Sequence, residues 1–140
     1  RYQEVTGVQT CALPISNTKT AISHNISYPI TLKYRIPHGI ACSFSLPFVM
    51  RSMKGINKEA EAQLEKIFDN DLINSSTKLL NNLRNLNVPT SLSELKISQK
   101  DWHSIVTSAF EGERGKNFLG NMECFDKACQ EMGFFNEKEF

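Results

Sequence analysis

Two histidines, His24 and His38, offer the most definite chemistry in this 140-residue chain. They lie fourteen positions apart and bound most of the stretch HNISYPITLKYRIPHG. A neutral imidazole is a good ligand for Fe, Zn, Ni or Cu ions. Two apolar helical segments, joined through a kink at Pro29 and a turn ahead of Pro37, can aim one imidazole each at a common point. Nitrogens more than ~6 Å apart could not share an ion, because each bond is only ~2 Å long. Two ligands are also fewer than the three, plus an open position, that a catalytic site uses. The residues alone therefore leave a second reading open, in which both histidines are satisfied polar groups.

Other reactive groups are less clearly placed. Cys42 follows His38 by four positions, so the two can share a helix face. A Cys-His nucleophile pair would need a third, orienting group, and none is evident. His103 follows Trp102 on an amphipathic segment without an obvious partner, which suits a surface or packing role. Arg114 and Lys116 lie in the glycine-rich segment GERGKNFLGN, read as an exposed loop within reach of a phosphate at best.

The elements that must position these groups all read as helices. Over residues 17–34, Thr20, His24 and Tyr28 recur every four positions and share a face, with Asn17 close to it. Ile22, Ile26 and Ile30 form a separate stripe fit for burial. A second helix is expected from Pro37 through Ile40, Phe44, Phe48 and Met53, kinked at Pro47 and stopped by Gly55. Asn57 caps the charged helix KEAEAQLEKIF, with Leu64, Ile67 and Phe68 facing inward, and Asp69 or Asn70 ends it. Leu72, Ile73, Leu79, Leu80, Leu83 and Leu86 mark the next helix, which must end before Pro89. Ser91 with Glu94, and Ser98 with Asp101, have capping-box spacing. The second pair precedes a helix carrying Trp102, Ile105, Val106, Ala109 and Phe110. Met122, Phe125, Ala128, Cys129 and Met132 form a last helix stopped by Gly133, and 136–140 is a polar tail. No alternating strand pattern occurs, so the expected class is all-α, a bundle-like domain over 17–135.

Composition sets bounds on function. With 16 basic and 15 acidic residues and a net charge of +1, the chain has no basic surplus to favour nucleic acid or an anionic membrane. No apolar run approaches the ~20 residues that span a bilayer. The four cysteines, Cys11, Cys42, Cys124 and Cys129, fit neither a zinc ribbon nor a dense disulfide framework, and read as free thiols of a reducing, cytoplasmic compartment.

Residues 1–16 do not match the rest. The string VTGVQTCALPIS resembles translated sequencing-adapter sequence, so the native chain is expected to begin near Asn17, with its true N-terminal part missing. A genuine N-terminal strand or arm is the alternative.

The run NTKTAISHNISYPITLKYRIPHGIACSFSLP resembles the metal-binding stretch of the iron-containing (group III) alcohol dehydrogenases. The likeness is specific at His24, the Pro37-His38-Gly39 step, Leu46 and Pro47, and looser through to about Phe135. That resemblance implies a C-terminal all-helical domain paired with an N-terminal α/β nucleotide-binding domain. It implies a divalent metal, Fe2+ or Zn2+ or another, held by one aspartate and three histidines, of which His24 and His38 match the last two. It further implies NAD(H) or NADP(H), bound mainly by the N-terminal domain, a small alcohol or aldehyde substrate, and room for a homodimer. The remaining ligands, an aspartate with a histidine four positions on, do not occur here, nor does any Gly-x-Gly. The chain is therefore expected to be part of an enzyme, inactive alone.

Many family members carry another histidine four residues after the first, where this chain has Tyr28. Tyr28 can hydrogen-bond substrate or cofactor, but it titrates near pH ~10, which weakens a histidine-like proton relay. Asn17 and Thr20 are candidates for lining the pocket, with capping or packing as the alternative. Ser27-Tyr28-Pro29, with Lys19-Thr20 upstream, most resembles a subgroup of phosphonoacetaldehyde reductases. Lys19 would suit the phosphonate dianion as a flexible point charge. It sits five positions from His24, about 140° around an ideal helix, an angle that also allows it to face solvent. Two readings from other classes stay open: a stand-alone helical interaction domain with structural histidines, and a small metal-binding protein that borrows ligands from a second chain.

Overall fold

The computed structural model describes residues 21–136, and among these there is no strand. The helices in chain order are α1 (Ile22–Tyr34), α2 (His38–Ser43), α3 (Leu46–Ser52), α4 (Lys58–Phe68), α5 (Leu72–Asn85), α6 (Leu92–Leu95), α7 (Gln99–Glu111) and α8 (Met122–Glu131), with a 3-10 turn at Gly115–Asn117. None is long and apolar enough to cross a membrane. Asn17, Lys19, Thr20 and Cys11 fall outside the described residues.

Of the helix expected over 17–34, the described part begins at Ile22, and 17–20 lie outside the described residues. Ala21 is extended and occupies the N-cap, so the helical register begins at Ile22. The helix then runs through Pro29 unbroken to Tyr34. Proline removes one backbone donor there, while the buried Ser27 hydroxyl donates to the His24 carbonyl at 2.7 Å. Arg35, in the left-handed region with φ 56°, turns the chain out of the helix, and the extended Pro37 starts α2. The single helix expected from Pro37 to Met53 is instead two. It divides at Phe44–Ser45, and Pro47 sits in the first turn of α3, where its absent N–H costs nothing.

Ile22, Ile26 and Ile30 are fully buried, as their four-residue spacing requires. They pack in one core with Phe44, Phe48, Trp102, Ile105, Val106, Ala109, Phe125 and Phe134. Phe134 reaches this core through the end of α8. Gly133 is left-handed at φ 74°, and the Phe134 and Gly133 N–H groups donate back to Cys129 and Gln130. That Schellman turn returns Phe134 against Trp102, with ring centroids 4.6 Å apart, and against Phe48 at 5.0 Å.

A smaller core joins Met50, Met53 and Leu72, with Leu64, Leu79 and Phe118 at its edge. Helix α4 borders only this cluster and buries no residue completely. Ile67 and Phe68, expected to face inward, are exposed (72% and 39%), and among the described residues the helix packs through Ala60 and Leu64 instead. Leu86 is likewise exposed, one residue past the end of α5.

The cap readings agree with the structure. Asn57 accepts from the Ala60 N–H, Ser91 from Glu94 and Ser98 from Asp101. Asp69, left-handed at φ 51°, ends α4, and Gly55, at φ 75°, follows α3.

Candidate metal centre

Helices α1 and α2 pack side by side, so His24 and His38 face each other across the turn at Arg35–Pro37. Their ring centroids lie 5.0 Å apart, edge to face. His24 is half-buried and His38 exposed. Tyr28, one turn after His24, completes the group, with its hydroxyl 2.9 Å from His24 Nε2 and its ring 5.7 Å from that of His38. Thr31 Oγ1 lies 3.5 Å from His38 Nδ1.

Cys42 also joins the group, which four-residue spacing on a six-residue helix allows. Its sulfur is 3.5 Å from His24 Nδ1 and 3.5 Å from His38 Nε2. Ligand atoms of His24, His38 and Cys42 all lie within 4.8 Å of one another. Two nitrogens on one ion can be at most about 4.2 Å apart, so small side-chain rotations bring this set into range. The donors suit Fe2+, Zn2+ and other borderline divalent ions.

The electrostatics favour a neutral His24. Burial, then the nearby His38, then the Arg114 guanidinium hold its imidazole below the ordinary histidine value. Nitrogen lone pairs are therefore available at neutral pH.

Arg114 is the residue whose place could not be read from the sequence. Its guanidinium lies 5.2 Å from the centre of the Tyr28 ring, in a cation–π position. Two features bring it there. Asn25, beside His24, donates to the Ala109 carbonyl at 2.6 Å and ties α1 to the end of α7. Gly115 then lies so close to α7 that a Cβ on it would collide with the Ala109 and Phe110 carbonyl oxygens. The glycines of GERGKNFLGN signalled a loop, but not that one of them presses Arg114 toward the histidines. Lys116 and His103 are exposed, and neither enters the group. A cleft of about 840 Å³ beside Arg84, Thr90 and Glu94 shares no residue with it.

Two adjoining helices thus bring the imidazoles of His24 and His38 and the thiol of Cys42 into one group that could hold a metal ion. The chain belongs to the Fe-containing alcohol dehydrogenase family, whose C-terminal family model matches residues 5–127. That match extends into the segment 1–16 as well as covering α1 to α7. No curated protein and no solved structure matches the chain.

Proposed function

We propose that this chain is the metal-holding helical part of an NAD(P)-dependent alcohol dehydrogenase or aldehyde reductase, with His24 and His38 as two of the ligands of a divalent ion. The convergence of these two rings at 5.0 Å carries the reading. When bound, the ion supplies Lewis acidity toward an aldehyde oxygen and the nicotinamide supplies the hydride. The chain's own residues hold and orient. His24 and His38 offer their nitrogens, and the Tyr28 hydroxyl anchors the His24 ring through Nε2. Tyr28, exposed at the mouth of the group, is also placed to hydrogen-bond a substrate oxygen.

The chain contains neither a Gly-x-Gly loop nor an aspartate with a histidine four positions on. Nicotinamide binding and the remaining ligands therefore fall to residues outside these 140, and the chain alone is inactive. NAD(H) and NADP(H) both fit this reading, as do Fe2+ and Zn2+. The complete enzyme would work in the cytoplasm, with a homodimer as its expected assembly.

For the substrate we propose a small aldehyde bearing an anionic group, phosphonoacetaldehyde being one such. Arg114 above Tyr28 supports this, since it sets a permanent positive charge beside the histidines. Asn17, Lys19 and Thr20 remain proposed contributors to cofactor or substrate binding.

The test is titration of the 140-residue chain with Zn2+ or Co2+ against a chromophoric chelator. Weak binding that is abolished by either His24→Ala or His38→Ala is expected. Binding that neither substitution changes would sink the reading. NADH oxidation by the purified chain with small aldehydes should be undetectable, and turnover would overturn the claim that it is inactive alone.

A further inference from the structure

We infer that Cys42 is a third ligand of the ion held by His24 and His38, so that this chain presents a His-His-Cys donor set suited to a borderline ion such as Zn2+ or Co2+. The inference rests on the metal reading above and adds a ligand of a different kind to it.

Each imidazole has one nitrogen turned to an outer partner and the other turned to the sulfur. His24 Nε2 meets the Tyr28 hydroxyl at 2.9 Å, and its Nδ1 lies 3.5 Å from Cys42 Sγ. His38 Nδ1 meets Thr31 Oγ1 at 3.5 Å, and its Nε2 lies 3.5 Å from the same sulfur, nearer than Nδ1 at 4.0 Å. With the outer nitrogens donating to hydroxyl oxygens, the two inner nitrogens keep their lone pairs, which is how ligating histidines are ordinarily fixed.

The two sulfur–nitrogen separations match those of a coordination polyhedron, while the full set, spread over 4.8 Å, closes on an ion by small side-chain rotations. Metal–sulfur bonds of about 2.3 Å and metal–nitrogen bonds of about 2.0 Å, opened to the tetrahedral angle, place sulfur and nitrogen about 3.5 Å apart. A thiol that donates its S–H to one nitrogen and accepts an N–H from the other would give the same two distances, and the cobalt titration below separates such hydrogen bonding from coordination. Local structure makes the arrangement cheap, because His38 and Cys42 project from one face of α2 toward α1. On coordination the sulfur gives its lone pair to the ion and its proton to solvent. No oxidation state changes. A thiolate shifts preference toward Zn2+ and away from hard, oxygen-seeking ions.

The experiment is Co2+ titration of the reduced 140-residue chain, followed by near-ultraviolet and visible absorption. A thiolate-to-cobalt charge-transfer band is expected in the unmutated chain. Cys42→Ser should abolish that band and weaken binding at least tenfold, while visible bands dependent on His24 and His38 persist. Histidine-dependent visible bands without the charge-transfer band, or a band that survives Cys42→Ser, overturn the third ligand and leave the histidine pair standing. Absence of any Co2+ binding overturns both.

A second measurement needs no variant. Saturating Zn2+ should slow iodoacetamide alkylation of Cys42 at least tenfold, read by peptide mass spectrometry, with Cys124 unaffected and a chelator restoring the rate. Equal rates with and without Zn2+ overturn the proposal.

Discussion

The Tyr28 hydroxyl lies 2.9 Å from Nε2 of His24, one helical turn away. That contact settles which His24 nitrogen faces outward and which faces the centre. Tyr28→Phe removes the partner but keeps the ring and its edge-to-face contact with His24. Loss of an outer-shell partner typically weakens metal affinity by about 10- to 100-fold. The substitution should do so here with an unchanged circular dichroism spectrum, and chelator competition would measure it. Unchanged affinity would mean that the Tyr28 bond does not orient His24.

Gly115 sets the height of Arg114 over Tyr28. A side chain there meets backbone oxygens of α7, which cannot swing away as a flexible side chain would. Gly115→Ala is expected to cost about 1–3 kcal/mol, in the range of overpacking substitutions. Urea denaturation gives the cost, and a change in Tyr28 fluorescence would report the displaced guanidinium.

Asp101 joins the start of α7 to the end of α1. Its carboxylate accepts from Lys33 Nζ at 2.7 Å and from the Tyr34 hydroxyl at 2.7 Å, while the Asp101 N–H donates to Ser98. The Lys33 and Tyr34 bonds hold its pKa down to about 2. A carboxylate depressed in the folded state stabilises above its unfolded pKa of about 3.9. That contribution falls away as pH drops from about 4 through 2. Asp101→Asn should therefore lose stability relative to the parent at pH 6, and the gap should close toward pH 2. Parallel urea curves at each pH decide it; a pH-independent gap would contradict the assignment.

Phe134 is the aromatic on which the end of α8 closes. It is fully buried, contacts Trp102, Phe44 and Phe48, and its carbonyl accepts from the Leu92 N–H at 3.0 Å. Truncating such a ring costs about 3–5 kcal/mol. Phe134→Ala is expected to lower the urea midpoint by that amount, or to leave the chain unfolded at 25 °C.

Arg51 ties α3 to α5 through Ser76 Oγ at 2.8 Å, Thr77 Oγ1 at 2.8 Å and the Ile73 carbonyl at 3.1 Å. Arg51→Ala leaves the buried Ser76 without that donor, although its own hydroxyl still donates to Ile73. A loss of about 1–3 kcal/mol is expected from the broken charge-assisted bonds. Arg51 also lies 3.8 Å from the Glu131 carboxylate, and chemical denaturation at high and low salt would separate the short-range bonds from that longer ion pair.

Residues His24, Tyr28 and the isoleucine stripe were legible in sequence because a helix converts spacing into direction. Four-residue intervals put Ile22, Ile26 and Ile30 in the core and His24 and Tyr28 together on another face. Local chemistry likewise sets the caps at Asn57, Ser91 and Ser98, since capping bonds join residues only two or three positions apart. The Pro37-His38-Gly39 step and its surroundings sufficed to mark the family resemblance.

What periodicity cannot supply is which side of a helix finds a neighbour. Ile67 and Phe68 lie on an amphipathic helix and stay exposed, because among the described residues α4 packs through its Ala60 and Leu64 side. Phe134 sits past a helix end and is buried because a left-handed glycine turns it back. Cys42 could be assigned to the face of His38 from its spacing, but its distance to His24 depends on how α2 docks on α1. Arg114 depends on a contact between α1 and α7 across 84 residues, Asn25 to Ala109, and on a glycine small enough to let the loop close. Spacing within one helix fixed His24 and Tyr28 as neighbours; packing between helices brought His38, Cys42 and Arg114 to the same place.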